Sequence, residues 1–185
     1  MPDHAPRYAA ACHIASAVGQ MALDYFRQWD RLTIDVKGHQ DFVSEADRNV
    51  ELAVRAALTE AFPDDGIVGE EGAPTSGSSG YTWVIDPIDG TTNFINGIPQ
   101  WCIILACVYQ GQTVIGVVHD PVHDELHHAT VGGGAFCNDK PIRCSAKTSL
   151  RDGSLGVGFS GRTQAGGIKA LVNLATDAGT VFWRN

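Results

Sequence analysis

The chain has 185 residues, of which 44% are hydrophobic and 18% are charged, as in ordinary globular proteins. A chain of this length can bury one sizeable core or two small ones. Its 13 lysines and arginines against 21 aspartates and glutamates give a formal net charge of −8. This balance argues against nucleic-acid and anionic-membrane partners, because it offers no basic stripe to neutralise phosphates.

The amino-terminal residues and the cysteines bear on cellular location. The first ten residues, MPDHAPRYAA, lack the basic and apolar regions of a secretory signal. The longest apolar run, Trp101 to Tyr109, is far too short to span a bilayer. The five cysteines have no CxxC spacing, which favours reduced thiols in the core or near the surface. We therefore expect a cytoplasmic protein.

The predicted elements begin with helices. Apolar periodicity predicts helices over residues 5–29 and 45–61, and Ser44 is the expected N-cap of the second. The later elements, in chain order, are strands over 32–37 and 67–72, a flexible loop over APTSGSSG (73–80), a buried strand at 83–85, a hairpin of 101–109 and 113–119, a second hairpin with Asn138-Asp139 at its turn, a strand over 154–160, a helix over 165–178 and a last strand over TVFWR (180–184). This order predicts an α+β fold of layered α/β/α/β type.

The stretch WVIDPIDGTTNF (83–94) changes character at Asp86. Its first three residues have the pattern of a buried strand, and two carboxylates, Asp86 and Asp89, follow. The strand that ends in Glu70 and Glu71 would add further carboxylates if it were a neighbour in the sheet. Crowded carboxylates repel one another unless cations intervene, and hard oxygen ligands favour Mg²⁺ or Mn²⁺ over Zn²⁺.

An acidic pair such as Glu70-Glu71 is, taken alone, more typical of an exposed turn. Beside Asp86 and Asp89 it favours a metal site. Because successive residues of a strand point to opposite faces, only one of the two glutamates is expected to reach the metal.

Gly90, Thr91 and Thr92 follow these carboxylates. Free N–H groups at the start of a short helix bind phosphate, and a glycine lets the ligand approach closely. Carboxylates for cations beside amides for an anion suit metal-assisted phosphate hydrolysis. The alternatives are a capped turn and a calcium loop, and the calcium loop fails because the acids have the wrong spacing.

Three motifs in this order, DFVSEAD (41–47), GEEG (69–72) and WVIDPIDGTTNF, resemble those of the inositol monophosphatase family of magnesium-dependent, lithium-sensitive phosphatases. The segments GVVHDPVHDEL (116–126) and GGGAFCNDKPI (132–142) are also similar to the family. The resemblance implies an enzyme that binds two or three Mg²⁺ ions when complete, acts on a small-molecule phosphate ester and forms a homodimer.

The same resemblance implies roles for individual residues. The metal ligands would be Glu70, Asp86, Asp89 and the main-chain carbonyl of Ile88. The phosphate would be held by Asp89, Gly90 and Thr91, and the attacking water would be oriented by Asp47, Thr91 and Glu70.

The carboxyl-terminal part departs from the family pattern. Family members continue through a further helix and a WD segment with another metal-binding aspartate, and nothing in this sequence matches that segment. We therefore expect a metal- and phosphate-binding α+β domain over residues 1–145, and the start of an incomplete α/β domain over residues 146–185.

The predicted function is Mg²⁺-dependent hydrolysis of inositol monophosphate, or of a related sugar or polyol phosphate, by metal-activated water. Histidinol phosphate, fructose 1,6-bisphosphate and nucleotide 3′-phosphates stay open as substrates. The alternative function is a catalytically impaired metal- or phosphate-binding module.

Two other features favour structural interpretations. The stretch HDPVHDELHH (119–128) holds four histidines, and we predict a solvated hairpin rather than a transition-metal site because the spacing is no recognised ligand pattern. No arrangement of cysteine and histidine for thiol catalysis is evident, so the cysteines are predicted to pack.

Overall fold

The computed structural model describes residues 3–38, 41–156, 165–177, 179 and 181–183. The chain divides into two compact units, residues 1–142 and residues 143–185. The elements of the first unit are α1 (Ala5–Phe26), β1 (Ile34–Gly38), β2 (Asp41–Ser44), α2 (Glu45–Ala61), β3 (Gly66–Gly69), β4 (Tyr81–Asp89), α3 (Thr91–Ile95), β5 (Cys102–Tyr109), β6 (Gln112–Asp120), β7 (Glu125–Thr130), β8 (Gly134–Cys137) and β9 (Lys140–Ile142). The elements of the second unit are β10 (Ser154–Gly156), α4 (Ala165–Asp177) and β11 (Val181–Trp183).

A seven-stranded sheet organises the first unit, with the strand order β3-β4-β5-β6-β7-β8-β9. Strands β3 and β4 run parallel, and every later pair of neighbours is antiparallel. The two predicted hairpins are β5–β6 and β8–β9. Helices combined with this mixed sheet confirm the predicted α+β class.

The second unit contains a pair of parallel strands, β10 and β11, with α4 between them in the sequence. The predicted strand over 154–160 is present at Ser154–Gly156, and residues 157–160 lie outside the described residues. No helix in the described parts of the chain is long and apolar enough to cross a membrane.

The core of the first unit lies between its helices and the sheet. Helix α1 packs against β5, β6 and β7, and α2 packs against β4 and α1. Alternate residues of β5 (Ile103, Leu105 and Cys107) are fully buried, as expected for a strand with one face in the core. Helix α1 is shorter than predicted, because it ends at Phe26 and a 3₁₀ turn follows at Trp29–Arg31.

Helix α2 begins where the sequence predicts. The Ser44 hydroxyl accepts hydrogen bonds from the backbone N–H groups of Ala46 and Asp47, and the Asp47 carboxylate accepts one from the Ser44 N–H. This reciprocal capping satisfies donors that the first turn of a helix otherwise leaves unpaired. It also fixes Asp47, which is 2% exposed, on the buried side of the helix.

The loop over residues 73–80 is hydrogen-bonded to β3 and to the turn before it, and its predicted flexibility stays a prediction. Thr75 exchanges two backbone hydrogen bonds with Ile67, at 2.9 and 2.8 Å. The Ser79 N–H donates to the backbone carbonyl of Asp64. The prediction rested on glycine and serine content, which is typical of flexible linkers. Here the same small polar residues hydrogen-bond to the turn before β3.

Candidate active site

The first part of the motif that opens at Trp83 belongs to one continuous strand. Strand β4 runs from Tyr81 to Asp89, so it does not end at Asp86 as the sequence suggested. In the register with β5, Asp86 pairs with Ile104 and Asp89 pairs with Cys102. The two aspartates are therefore three residues apart in β4, whereas their partners are only two residues apart in β5. Such an irregularity is a β-bulge. Residues an odd number apart normally point to opposite faces, and the extra residue lets both aspartates face the same side.

Glu70 lies next to Asp86 because β3 and β4 are parallel. Gly69, the last residue of β3, pairs with Ile85, and Glu70 follows directly. Burial raises the pKa of Asp86 to about 7, helped by the negative charges of Glu70 and Asp89 and by a hydrogen bond with Glu70. The predicted convergence of these carboxylates is therefore present.

One oxygen of Asp86 lacks a partner. Asp86 Oδ1 is buried and makes no hydrogen bond to any described group. A buried carboxylate oxygen without a partner is unfavourable by about 1–3 kcal/mol. A cation at this point would neutralise the charge and satisfy the oxygen. Glu70, Asp86 and Asp89 supply the hard oxygen donors that Mg²⁺ and Mn²⁺ prefer, so these residues fit such an ion.

Gly90 makes the turn from β4 into the short helix α3. Its backbone is left-handed, with a φ of 93°. A Cβ atom here would lie 3.0 Å from the carbonyl oxygen of Gln100 and 3.4 Å from the Cα of Trp101. Conformation and space therefore both require glycine at this position. Thr91 is placed at the first position of α3, immediately after the carboxylates.

Thr91 links the motif to α2. Its hydroxyl lies 3.2 Å from Asp47 Oδ1 and 3.0 Å from the carbonyl oxygen of Ile88, and can donate its one proton to either. The other oxygen of Asp47 accepts hydrogen bonds from the N–H (2.8 Å) and the hydroxyl (2.5 Å) of Ser44. The structure thus brings Asp47, Thr91 and Ile88 together, as their predicted roles require.

Glu51 is a residue that the motifs did not single out. Its side chain is 2% exposed, and it accepts hydrogen bonds from the backbone N–H groups of Glu71 (2.7 Å) and Gly72 (2.8 Å). Arg55 pairs with the same carboxylate, at 2.7 Å. Glu51 therefore fixes the turn that carries Glu70.

The sequence does contain a signal for Glu51. It lies four residues after Asp47 on α2, so both carboxylates share one face of the helix. That face also carries the buried apolar residues Val50 and Val54. A charged residue on an apolar helix face is informative, because glutamate is almost never fully buried unless it is paired.

Cys102 lies beside the acidic cluster without being a nucleophile. Its Sγ is 3.8 Å from Asp89 Oδ2. Burial, together with the charges of Asp89 and Asp86, raises the pKa of the Cys102 thiol to about 12. The group is a neutral thiol at physiological pH, which agrees with the prediction that the cysteines pack.

A cleft of about 480 Å³ opens beside Asp89 and Gly90. Its lining includes hydrogen-bonding side chains from α3, from the segment before β5 and from the β6–β7 hairpin: Asn93, Gln100, Asp120, His123, Glu125 and His127. A small polar molecule bound there would lie next to the carboxylates.

Two curated phosphatases are similar to most of the chain. An inositol-1-monophosphatase of Rhizobium meliloti is 41% identical over 157 residues, which are 84% of this chain and 59% of the relative. A histidinol-phosphatase of Chlorobaculum parvum is 39% identical over 143 residues, 76% of this chain and 54% of the relative. The chain therefore spans less than two thirds of the length of these relatives.

A solved structure has the same fold. The extragenic suppressor protein suhB of Bartonella henselae superposes with a TM-score of 0.90 at 32% identity, over 95% of this chain and 69% of that protein. Residues 3–173 match the sequence profile of the inositol monophosphatase family. With the bulged carboxylate strand, the left-handed Gly90 and the Asp47–Thr91 contact, this match places the chain in the inositol monophosphatase family.

Proposed function

We propose that the protein is a Mg²⁺-dependent phosphomonoesterase that acts on inositol monophosphate or on a related sugar or polyol phosphate. The observation that carries the proposal is the buried oxygen of Asp86, which has no partner among the described groups and lies beside Gly90 and Thr91. The pKa of Asp86 is raised to about 7, and a bound cation would lower it again. Within the described residues, Glu70, Asp86, Asp89 and the Ile88 carbonyl are the groups proposed to hold it.

The metal supplies charge neutralisation and a lowered pKa for bound water when it is present. The chain's own residues position and deprotonate that water. Thr91 shares its hydroxyl proton between Asp47 and the Ile88 carbonyl. If the Ile88 carbonyl held a cation, the Thr91 hydroxyl would donate to Asp47 alone, and the Thr91 oxygen would take a proton from the water as it passes its own proton to the Asp47 carboxylate.

The remaining assigned roles are orientation of the water by Glu70 and binding of the phosphate by Asp89, Gly90 and Thr91. The turn that holds Glu70 is fixed by Glu51. Gly90 makes the left-handed turn that places the start of α3 directly after the carboxylates.

The cleft beside Asp89 supports a hydroxyl-rich leaving group. Asn93, Gln100, Asp120 and His123 offer both donors and acceptors of hydrogen bonds there. Polyol and sugar hydroxyls need both kinds of partner. Histidinol phosphate, fructose 1,6-bisphosphate and nucleotide 3′-phosphates belong in the same test, since one relative carries the name histidinol-phosphatase.

Phosphate release from a panel of these esters tests the proposal, with Mg²⁺ present or replaced by chelator. We expect Mg²⁺-dependent release that is greatest for a polyol phosphate and is lost in Thr91→Ala. Binding of Mg²⁺ and phosphate without turnover would identify the alternative, a metal- and phosphate-binding module. Turnover that persists in chelator would contradict the proposal.

Several properties remain predictions. These are the homodimer, inhibition by lithium, the cytoplasmic location, two or three metal ions in a complete enzyme, and a division into domains over 1–145 and 146–185. Sedimentation of the purified protein and inhibition curves with Li⁺ would test the first two.

A further inference from the structure

A second group of potential metal ligands lies on the β7–β8 hairpin, in residues that the proposed hydrolysis does not use. We infer that Glu125, His127 and Cys137 form a binding site for a borderline-soft divalent cation such as Zn²⁺. Each offers one ligand atom, and the three atoms lie within 4.8 Å of one another. This inference is independent of the proposed phosphatase activity.

The sheet register explains why these three side chains meet. Glu125 and His127 are two residues apart in β7, so they lie on the same face of the strand. Cys137 in β8 is the direct cross-strand partner of His127. Directly opposite residues of an antiparallel pair also share a face, with Cβ atoms about 5 Å apart. The strand pairing thereby brings three residues, which are up to twelve positions apart in the sequence, around one point.

The spacing suits a tetrahedral ion after small side-chain rotations. Zn²⁺ bonds of about 2.2 Å place tetrahedral ligand atoms roughly 3.6 Å apart. His127 Nε2 and Glu125 Oε2 are already 3.9 Å apart. That distance is too long for a hydrogen bond, so neither group satisfies the other. Both side chains are partly exposed, at 42% and 51%, which leaves them free to rotate.

The donor set points to the class of ion. Imidazole and thiolate ligands select Zn²⁺ and similar ions, whereas Mg²⁺ prefers oxygen alone. A site with three protein ligands keeps a fourth position open. Glu125 and His127 also line the cleft that reaches Asp89, so solvent or a small ligand has access to that position.

The histidine spacing in HDPVHDELHH favours a solvated hairpin, but one of these histidines is not solvated. His119 is buried and hydrogen-bonded to the carbonyl of Ala15. Cys137 belongs to another segment and becomes a neighbour only through strand pairing. Lys140 is the cross-strand neighbour of Cys137 on the other side, and it is exposed, so its ammonium group can remain in solvent.

The test is a titration of the purified protein with Co²⁺, in excess Mg²⁺ and with reduced thiols. Co²⁺ substitutes for Zn²⁺ and gives an ultraviolet charge-transfer band when a thiolate binds it. We expect one Co²⁺ per chain, a thiolate band and displacement by Zn²⁺. Cys137→Ser should remove the band, and His127→Gln should weaken Co²⁺ binding at least about tenfold, since even indirect partners of a metal change affinity by that factor.

Two matched controls separate this site from the acidic cluster. His123→Gln replaces a neighbouring histidine that pairs with Asp120, and Cys102→Ser replaces the thiol beside Asp89. Both should keep the band and the affinity within about twofold. Circular dichroism of each metal-free variant establishes that it folds. If Cys137→Ser does not fold, His127→Gln provides the test. Absence of a thiolate band at saturating Co²⁺, or its retention in Cys137→Ser, would overturn the inference.

Discussion

Asp65 and Asp86 lie at opposite ends of the same pair of parallel strands, and they differ in how their charge is compensated. Asp65 immediately precedes β3, and its carboxylate accepts hydrogen bonds from Arg7 (2.8 Å to each oxygen), Ser79 (2.6 Å) and Trp83 (3.0 Å). Burial alone would raise the pKa of Asp65, but these hydrogen bonds outweigh it and lower the pKa.

Asp86 has the opposite environment. Its neighbours are the carboxylates of Glu70 and Asp89, one of its oxygens has no partner among the described groups, and its pKa is raised to about 7. Among the described groups, both carboxylate oxygens of Asp65 have partners, whereas one oxygen of Asp86 has none. This difference supports the proposals that Asp65 serves the fold and that Asp86 binds a cation. Ligands of open α/β sheets also bind at the carboxyl ends of parallel strands, where Asp86 lies.

The largest expected effect is on activity, in Asp86→Asn. We expect phosphate release to fall about a thousandfold, because metal stabilisation of the transition state is worth several kcal/mol and each 1.36 kcal/mol is a factor of ten. The fold should persist, because the change removes repulsion within the carboxylate cluster. Rates measured at saturating Mg²⁺ and substrate provide the check.

The control for Asp86→Asn is Asp139→Asn, a change of the same chemistry at an exposed turn residue of the β8–β9 hairpin. It should leave the rate unchanged. Near-normal Mg²⁺-dependent turnover in Asp86→Asn would refute the assignment of this carboxylate to the metal.

The second prediction concerns stability, in Asp65→Asn. Breaking a buried ion pair is unfavourable by about 3–5 kcal/mol. Because the Arg7 side chain is 18% exposed, we expect the lower end, a loss of about 3 kcal/mol in the free energy of unfolding. Urea denaturation measures this loss of stability. Mg²⁺ should not reduce the difference in free energy of unfolding between wild type and Asp65→Asn.

The matched control is Asp35→Asn. Asp35 pairs with Arg48 at 2.7 Å, but both side chains are about half exposed, at 57% and 45%. Exposed pairs contribute less than about 1 kcal/mol. An Asp65→Asn protein as stable as Asp35→Asn would mean that the buried pair does not serve the fold.

The third prediction extends the comparison to Glu51, whose carboxylate has partners within the chain and holds the turn beside the carboxylate cluster. In Glu51→Gln the new amide presents N–H groups where the N–H groups of Glu71 and Gly72 need acceptors. The turn that carries Glu70 should loosen, and Mg²⁺ affinity should fall about 10–100-fold.

The Mg²⁺ concentration needed for half-maximal activity measures the Glu51 effect. Glu60→Gln, at an exposed position of the same helix, is the control and should not change it. A purely structural role would lower the melting temperature of Glu51→Gln without changing this Mg²⁺ concentration.

Much of this arrangement follows from the sequence. The 45–61 helix with its Ser44 cap, the β5–β6 hairpin and the meeting of Glu70 with Asp86 all depend on local patterns and on one strand pairing. The bulge after Asp86 could not be predicted, because it is a property of the register with β5.

Contacts between distant segments account for the other differences. Glu51 meets Gly72 across 21 residues, and Cys137 meets His127 across a hairpin. The loop over 73–80 has the composition of a linker, but its hydrogen bonds go to the turn before β3. Such pairings are tertiary, and no window of local sequence contains both partners.

The smallest expected effect is the pH dependence of stability in the metal-free protein. The pKa of Asp86 is raised to about 7 in the folded state, against about 3.9 when unfolded. Between these values the folded state binds the proton more tightly, so stability attributable to this group falls as the pH rises from about 4 to 7. Asp65 behaves oppositely: its lowered pKa gives stability that is present above about pH 4 and is lost on further acidification.

Urea unfolding in chelator at pH 5 and pH 8 should therefore show wild type losing stability relative to Asp86→Asn at the higher pH. Mg²⁺ at about 100 times its Kd should restore part of this loss at pH 8, roughly 2.7 kcal/mol in wild type and less in Asp86→Asn. Parallel pH curves for the two proteins, with no effect of Mg²⁺, would show that Asp86 is as well compensated as Asp65.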